Sequence, residues 1–453
     1  MKRFWLVMLS LGLLTVFSTS ALAVDVKFSG EFYAAGVYLN KTNLDKDISP
    51  STAFYFQRLR VRTDFIASPG LTLVTRVDAM ERIAGATRST PGTTLAVDSA
   101  GTVAENENIA VDWAYINYQS PIGTFDVGYM NYGSTGTIFG NNSAPQGRIK
   151  YSYTIGPATI NAAISKVKEN SYTANNTGIL NSDTDNDVYH LEGVYKWKGG
   201  LAGLNVNYYR YAELRPATST TPNSKRTYYL FTPYTIAKFG FLDLQAEFNW
   251  ATGKYTETES GLNEVIMDNM SGWIDAKATF GSVYAGATFA YVSGENDATN
   301  DKKEGGTLNG GRDWSPNLIM WNYDRSMWLG ELRSSSVAAG KGFGAAAGVA
   351  YTGMANAFLY QGRVGVKPTN KLDVMASLTY ASADKKPIVG GTSYLSDQYG
   401  YELDFTATYK LTNNLSYMLG AGYLWTGDYF KGTTPAAVVQ NDYLVINKLT
   451  LTF

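Results

Sequence analysis

Eight times in this chain a run of alternating apolar and polar residues stops at a tight Gly, Pro or Asn turn and then resumes. The turns are Ser68-Pro69-Gly70, Ser120-Pro121-Ile122-Gly123, Gly156-Pro157, Gly199-Gly200, Phe239-Gly240, Gly281-Ser282, Pro368-Thr369-Asn370 and Thr412-Asn413-Asn414. Between one pair of runs and the next lies a longer Gly-, Asn-, Ser- and Thr-rich stretch without a period. Period-2 alternation marks strands with two unlike faces, and proline and glycine supply the dihedrals of a tight reversal. Strict alternation of short and long connections describes an antiparallel meander with tight turns at one end and loops at the other. The sequence predicts strands over 26–39, 54–67, 71–83, 108–119, 123–133, 147–156, 158–169, 187–198, 201–215, 225–238, 241–255, 271–280, 283–294, 355–367, 371–384, 399–411 and 415–429. One more follows the final loop, giving 18 in all, with 16 the other even count considered.

The last stretch, Asn441 to Phe453, puts Tyr443, Val445, Leu449, Leu451 and Phe453 on one face and Lys448, Thr450 and Thr452 on the other. In lipid an unpaired sheet edge is prohibitive, so a membrane sheet must close on itself. We therefore expect this strand to pair with the first, where Phe28, Gly30, Phe32 and Ala34 oppose Lys27, Ser29, Glu31 and Tyr33. A strand ending on an aromatic residue also resembles the recognition signal of bacterial outer-membrane barrels.

The polar faces decide between a dry core and a wet lumen. Asp243, Gln245, Glu247 and Asn249 alternate with Leu242, Leu244, Phe248 and Trp250, and Glu402 and Asp404 flank Leu403. Such faces are too charged for several layers to share one dry interior, whereas a large barrel turns them toward water. The expected fold is therefore all-β, a transmembrane antiparallel barrel with short periplasmic turns and long extracellular loops. Aromatic residues near strand ends, among them Tyr118, Tyr129, Trp197, Trp250, Tyr380, Tyr409 and Trp425, suit two interfacial girdles. After residue 23 no uninterrupted apolar stretch approaches the length of a membrane helix. Lys2, Arg3, the apolar residues 4 to 16 and Ser20-Ala21-Leu22-Ala23 read as a signal peptide cut after Ala23, leaving a single barrel domain over 24–453. The expected location is the outer membrane of a Gram-negative bacterium.

Composition narrows the chemistry. There is no cysteine and only one histidine, so neither disulfides nor thiolate or histidine-rich metal sites are expected, and no cofactor. His190 lies beside Glu192 on a polar strand face, with no serine or cysteine arrangement evident around it, so no enzyme is expected. The 38 basic and 39 acidic residues balance, and nothing calls for nucleic acid as a partner. The candidate pore-lining residues are Arg58, Arg60, Arg62, Arg76, Asp78, Arg148 and Lys150, faced from other strands by Asp126, Glu192, Asp243, Glu247, Asp275, Glu402 and Asp404. Opposed basic and acidic rows would set a transverse field across the lumen, a usual selectivity device in pores. The third long loop, Gly133 to Gly147, is expected to fold inward as a constriction, with Arg148 at the narrowing. Residues 295–354 fit two descriptions: a segment folded over or into the mouth, or an added strand pair from Trp314–Arg333 and Gly344–Gly353.

Tyr401–Lys410, the turn Leu411–Leu415, and Leu419–Trp425 with Gly427–Phe430 are similar to the closing region of the alginate-export family, and the chain as a whole looks like a Gram-negative porin. The resemblance is clear over residues 399–430. It implies an 18-stranded barrel and, in its specific form, passage of an anionic polysaccharide through an arginine-rich lumen. The acids interleaved here and the near-neutral charge point instead to a water-filled channel for passive diffusion of ions and small hydrophilic solutes. Outer-membrane lipid and lipopolysaccharide, the barrel-assembly machinery and a homotrimer are the expected associations.

Overall fold

In the computed structural model the first strand pairs with the last, Glu31 opposite Thr452 through Leu39 opposite Leu444, and the sheet has no free edge. The Gly30 N–H donates to the Phe453 carbonyl at 2.8 Å and the Phe453 N–H returns the bond at 3.0 Å. Gly30 is required there: a Cβ on it would lie 2.3 Å from the Arg60 carbonyl oxygen and 2.7 Å from the Phe453 ring. The structure describes residues 24–46, 49–85, 109–133, 135–140, 144–170, 184–214, 223–258, 263–298, 301–308, 313–338, 340–341 and 353–453. The expected signal peptide, residues 1–23, lies outside these, as does most of Gly344–Gly353.

Eighteen long antiparallel strands make the barrel. They are β1 (Asp25–Leu39), β2 (Thr52–Ser68), β3 (Leu71–Ile83), β4 (Ile109–Ser120), β5 (Gly123–Met130), β6 (Gln146–Ile155), β7 (Ala158–Lys168), β8 (Asn186–Trp197) and β9 (Gly200–Leu214). The circuit continues with β10 (Ser224–Phe239), β11 (Leu242–Thr258), β12 (Val265–Phe280), β13 (Val283–Val292), β14 (Ala357–Val366), β15 (Leu372–Ser382), β16 (Gln398–Lys410), β17 (Leu415–Thr426) and β18 (Asp442–Thr452). Every tight turn anticipated from Gly, Pro and Asn joins two of these strands. Most boundaries fall within three residues of the sequence reading, and two differences are informative. β12 starts at Val265 instead of 271, because Asp268 breaks the apolar face; it accepts from the Trp250 indole at 3.2 Å. β17 ends at Thr426, and residues 428–431 form a 3-10 turn that buries Tyr429 and Phe430.

One face of the alternation is exposed and apolar all the way round. Phe28, Ile109, Ile149, Leu191, Phe248, Val364, Phe405 and Leu419 are large exposed hydrophobics spread over eight strands. A water-facing monomer rarely shows such a continuous apolar surface, whereas a lipid-facing barrel requires it. This is a transmembrane barrel; no helix among the described residues could cross a membrane.

Residues 313–338 do not add strands. They lie inside the barrel, where a short helix α1 (Tyr323–Leu329) is capped by Asn322, whose side chain accepts from the Arg325 N–H at 2.9 Å. Trp314, Ile319, Met320, Trp321, Trp328 and Leu332 pack with Tyr33, Val37, Leu39, Phe56, Trp273, Leu359 and Leu424, residues of the wall. The inner wall is therefore of two kinds. From β12 round through the seam to β2 its loop-side half is covered by this segment, where apolar side chains pack beside the buried Gln361, Thr379, Glu402 and Asp404, and elsewhere it keeps charged, amide and phenol side chains.

Candidate functional site

The arginine row stands on β2 and β3 and is paired. Arg60 Nε donates to Asp78 at 2.6 Å, Arg62 Nε to Asp64 at 2.8 Å, Arg76 Nε to Asp112 at 2.6 Å, and Arg58 Nη2 to Glu31 at 3.1 Å. Register explains this: Arg60 sits opposite Asp78, and Arg62 opposite Arg76. Two irregularities complete the ladder. The β3–β4 register shifts between Arg76 and Val77, leaving Asp112 as an extra residue beside Arg60 and Arg76, with Trp113 under the Arg76 guanidinium at 3.5 Å. Met80 adopts φ 57° where the β2–β3 register slips, and the next residue, Glu81, lies 4.0 Å from Arg58. The expected field between opposed rows is thus replaced by local pairs along one wall, because neighbouring strands bring the carboxylates closer than any crossing of the lumen could. Asp112 and Glu81 were not singled out in the sequence, since each comes in at a register irregularity that leaves no mark on composition, whereas Asp64 lies on the same alternating polar face as Arg62.

The remaining candidates also meet partners nearby. Asp126 accepts from Asn117 at 2.6 Å. Asp275 takes both terminal nitrogens of Arg363 at 2.7 and 2.8 Å, and Asp243 lies 3.3 Å from both Lys238 and Lys277. Lys150 donates to the Tyr132 carbonyl at 2.8 Å.

The third long loop turns inward, as expected. The Thr137 N–H and hydroxyl donate to Glu247 on β11 at 2.6 and 2.9 Å, and Thr135 donates to Glu192 on β8. Phe139 at its tip is fully buried, stacked on Trp273 at 5.8 Å and edge-on to Trp314 at 4.9 Å. Gly140 leaves room for the Glu247 carboxylate, since a Cβ there would sit 2.3 Å from Oε1 and the glutamate would have to move aside. The second obstruction is the 313–338 segment. Glu402 on β16 accepts the backbone N–H groups of Leu318, Ile319 and Met320 at 3.0, 2.6 and 2.8 Å. Asn317 donates to Thr379 at 2.8 Å, and Gln361 donates to the Pro316 carbonyl at 2.6 Å. Lys448 reaches Asp324 at 3.4 Å. Asp404 is buried under the same segment, against Gly422 and Leu318. Two loops from opposite sides meet at Phe139 and Trp314 and narrow the lumen.

Arg148 stands beside that constriction with every N–H occupied. Nε donates to the Met130 carbonyl, Nη1 to Ser165 and His190, and Nη2 to the Ala144 carbonyl and Gln146. His190 and Ser165 are 2.8 Å apart, and the other imidazole nitrogen meets Asn207. That is the bonding order of a nucleophile triad. Ser165, however, has no exposed surface, and Arg148 donates to both it and the imidazole, so the trio holds the guanidinium in place. These residues come from consecutive strands β7, β8 and β9, and a sequence scan does not bring them together. Tyr132 lies on His190 at 4.5 Å. Burial first, and the Glu192 charge second, push its phenol above the ordinary tyrosine range, so it stays neutral.

Between the loop and the wall of β6 and β8 to β11 is a cavity of about 260 Å³. Two solved structures resemble this architecture. OccAB3 of Acinetobacter baumannii is 13% identical over 94% of this chain and 100% of its own, with a TM-score of 0.51. OccK5 (OpdH) of Pseudomonas aeruginosa is 11% identical over 95% of this chain and 98% of its own, also at 0.51. The likeness is one of fold. No protein-family model matches the sequence, and neither does any curated protein. The alginate-export resemblance of residues 399–430 therefore has no family match behind it; the stretch forms β16, its turn and β17.

Proposed function

We propose that this chain is a channel of the Gram-negative outer membrane through which ions and small hydrophilic solutes diffuse. One observation carries the reading: a closed barrel, apolar outside, keeps a polar inner wall past a constriction made by two inward loops. In this reading the paired arginines Arg58, Arg60, Arg62 and Arg76 with Asp78, together with Asp126, Arg148, Lys150, Glu192, Asp243, Glu247 and Asp275, set the potential of the water path. Glu402 and Asp404 act through the segment above them. Because the four arginines are already neutralised by neighbours, the pore discriminates weakly by charge, and a polyanion finds no row of unpaired cations. The barrel's surroundings are outer-membrane lipid and lipopolysaccharide.

The test is the conductance of the purified, refolded mature chain in a planar bilayer under a salt gradient. Steady steps with a reversal potential near zero support the reading, and electrical silence from folded barrels overturns it. The apolar packing of residues 313–338 favours one refinement, a channel gated by movement of that segment, which conductance switching between two levels would reveal.

A further inference from the structure

We infer that the cavity beside the third loop is a binding station for a neutral, polyhydroxylated solute of monosaccharide size. The inference rests on the channel reading and names the solute class that the channel retains longest.

The charges at the cavity are already satisfied. All the N–H groups of Arg148 point to protein acceptors. Both oxygens of Glu247 are held, one by Thr137 and the other by the Asn249 amide at 2.9 Å. A carboxylate solute would find no free guanidinium N–H here, and an ammonium would have to compete with the loop for Glu247. What the cavity does offer is neutral. Asn205 is only 3% exposed, its Oδ1 meets no donor, and its side chain makes no hydrogen bond among the described residues. It projects from β9 between Glu192 and Thr232, its register neighbours, and lines the cavity. The Asn207 Oδ1 accepts from the His190 Nδ1–H, which leaves its amide N–H groups for a ligand. Tyr209 and Tyr211 add phenols and ring faces, with Tyr209 fixed by stacking on Tyr228 at 4.5 Å and 7°.

A buried amide without a partner is costly, and a native structure keeps one where something else satisfies it. Sugar hydroxyls both donate and accept, matching the two functions of an amide, and the apolar face of a sugar ring packs against an aromatic ring. The volume of about 260 Å³ lies just below the roughly 300–1,000 Å³ of small-molecule sites and is enough for one sugar ring.

The experiment uses the full mature chain in planar bilayers and three solutes of matched skeleton: glucose, glucuronate, and glucosamine at mildly acidic pH. Brief interruptions of the ion current report occupancy. Glucose should interrupt the current at lower concentration than either charged relative. Asn205→Leu should shorten the interruptions about fivefold, the loss of one net hydrogen bond. The isosteric Asn205→Asp, which keeps the shape and serves if the leucine variant fails to fold, should weaken glucose relative to glucosamine. Stronger interruption by glucuronate or glucosamine overturns the inference. So does glucose interruption that neither substitution changes, which would mean that Asn205 is satisfied by an ordered water alone. A conducting pore with no solute preference removes this inference and leaves the channel reading intact, whereas a silent barrel removes both.

Discussion

Glu402 fastens the inner segment through three consecutive backbone donors, a concave arrangement that suits one carboxylate. Glu402→Ala leaves those donors buried without an acceptor, at about 1–3 kcal/mol each. The barrel strands do not depend on them, so folded protein is expected to retain its heat-modifiable mobility on gels while single-channel conductance rises and becomes noisier. Unchanged conductance would mean that the apolar contacts alone hold the segment. The arginine ladder makes an opposite pair of predictions. Asp112→Asn should move the reversal potential toward anion preference by releasing Arg76, and Arg76→Gln should move it toward cations by releasing Asp112, with shifts of similar size. Equal effects in one direction would show that the ladder does not face the ion path. Neither residue's partner was readable in the sequence. Arg76 stood out on a strand face, but Asp112 joins it through a one-residue register shift that leaves no periodic trace.

At the level of elements, the hairpins were legible and the inward loops only half so. A Gly, Pro or Asn turn states its conformation locally, which is why β3 was readable from Leu71 to Ile83 at both ends. A loop's destination is a tertiary matter. The direction of the Gly133–Gly147 loop could be anticipated from its place in the meander, but the contacts of Phe139 with Trp273 and Trp314 join segments more than a hundred residues apart. Likewise, the tryptophans of 313–338 signalled burial without saying against what. Phe139→Ala opens the junction between the two obstructions and costs about 3–5 kcal/mol of packing, as large-to-small changes at buried aromatics do. The expected readout is a higher conductance at unchanged selectivity. Replacing residues 313–338 by a short Gly/Ser linker should raise it further; if that chain conducts no better, the path runs wholly on the β4–β11 side.

For the whole molecule, closure is the governing feature. Removing residues 442–453 would leave β1 and β17 as open edges, each with a row of unpaired backbone groups in lipid. The truncated chain is expected to aggregate and to show no heat-modifiable form, and a folded, inserted truncation would argue against the seam. Gly30→Val is a milder version of the same test, with a side chain forced against the Arg60 carbonyl and the Phe453 ring, and should lower the temperature at which the barrel opens on a gel. The seam also bears on the order of events in the chain's life. Glu31 pairs with Thr452 and Gly30 with Phe453, so the contact that closes the barrel joins residues from opposite ends of the described sequence. Folding rates fall as contacts lengthen in sequence, and until that pairing forms β1 and β18 each present an open edge. A barrel closed by so distant a pair is thus expected to seal late, after its nearer hairpins have formed.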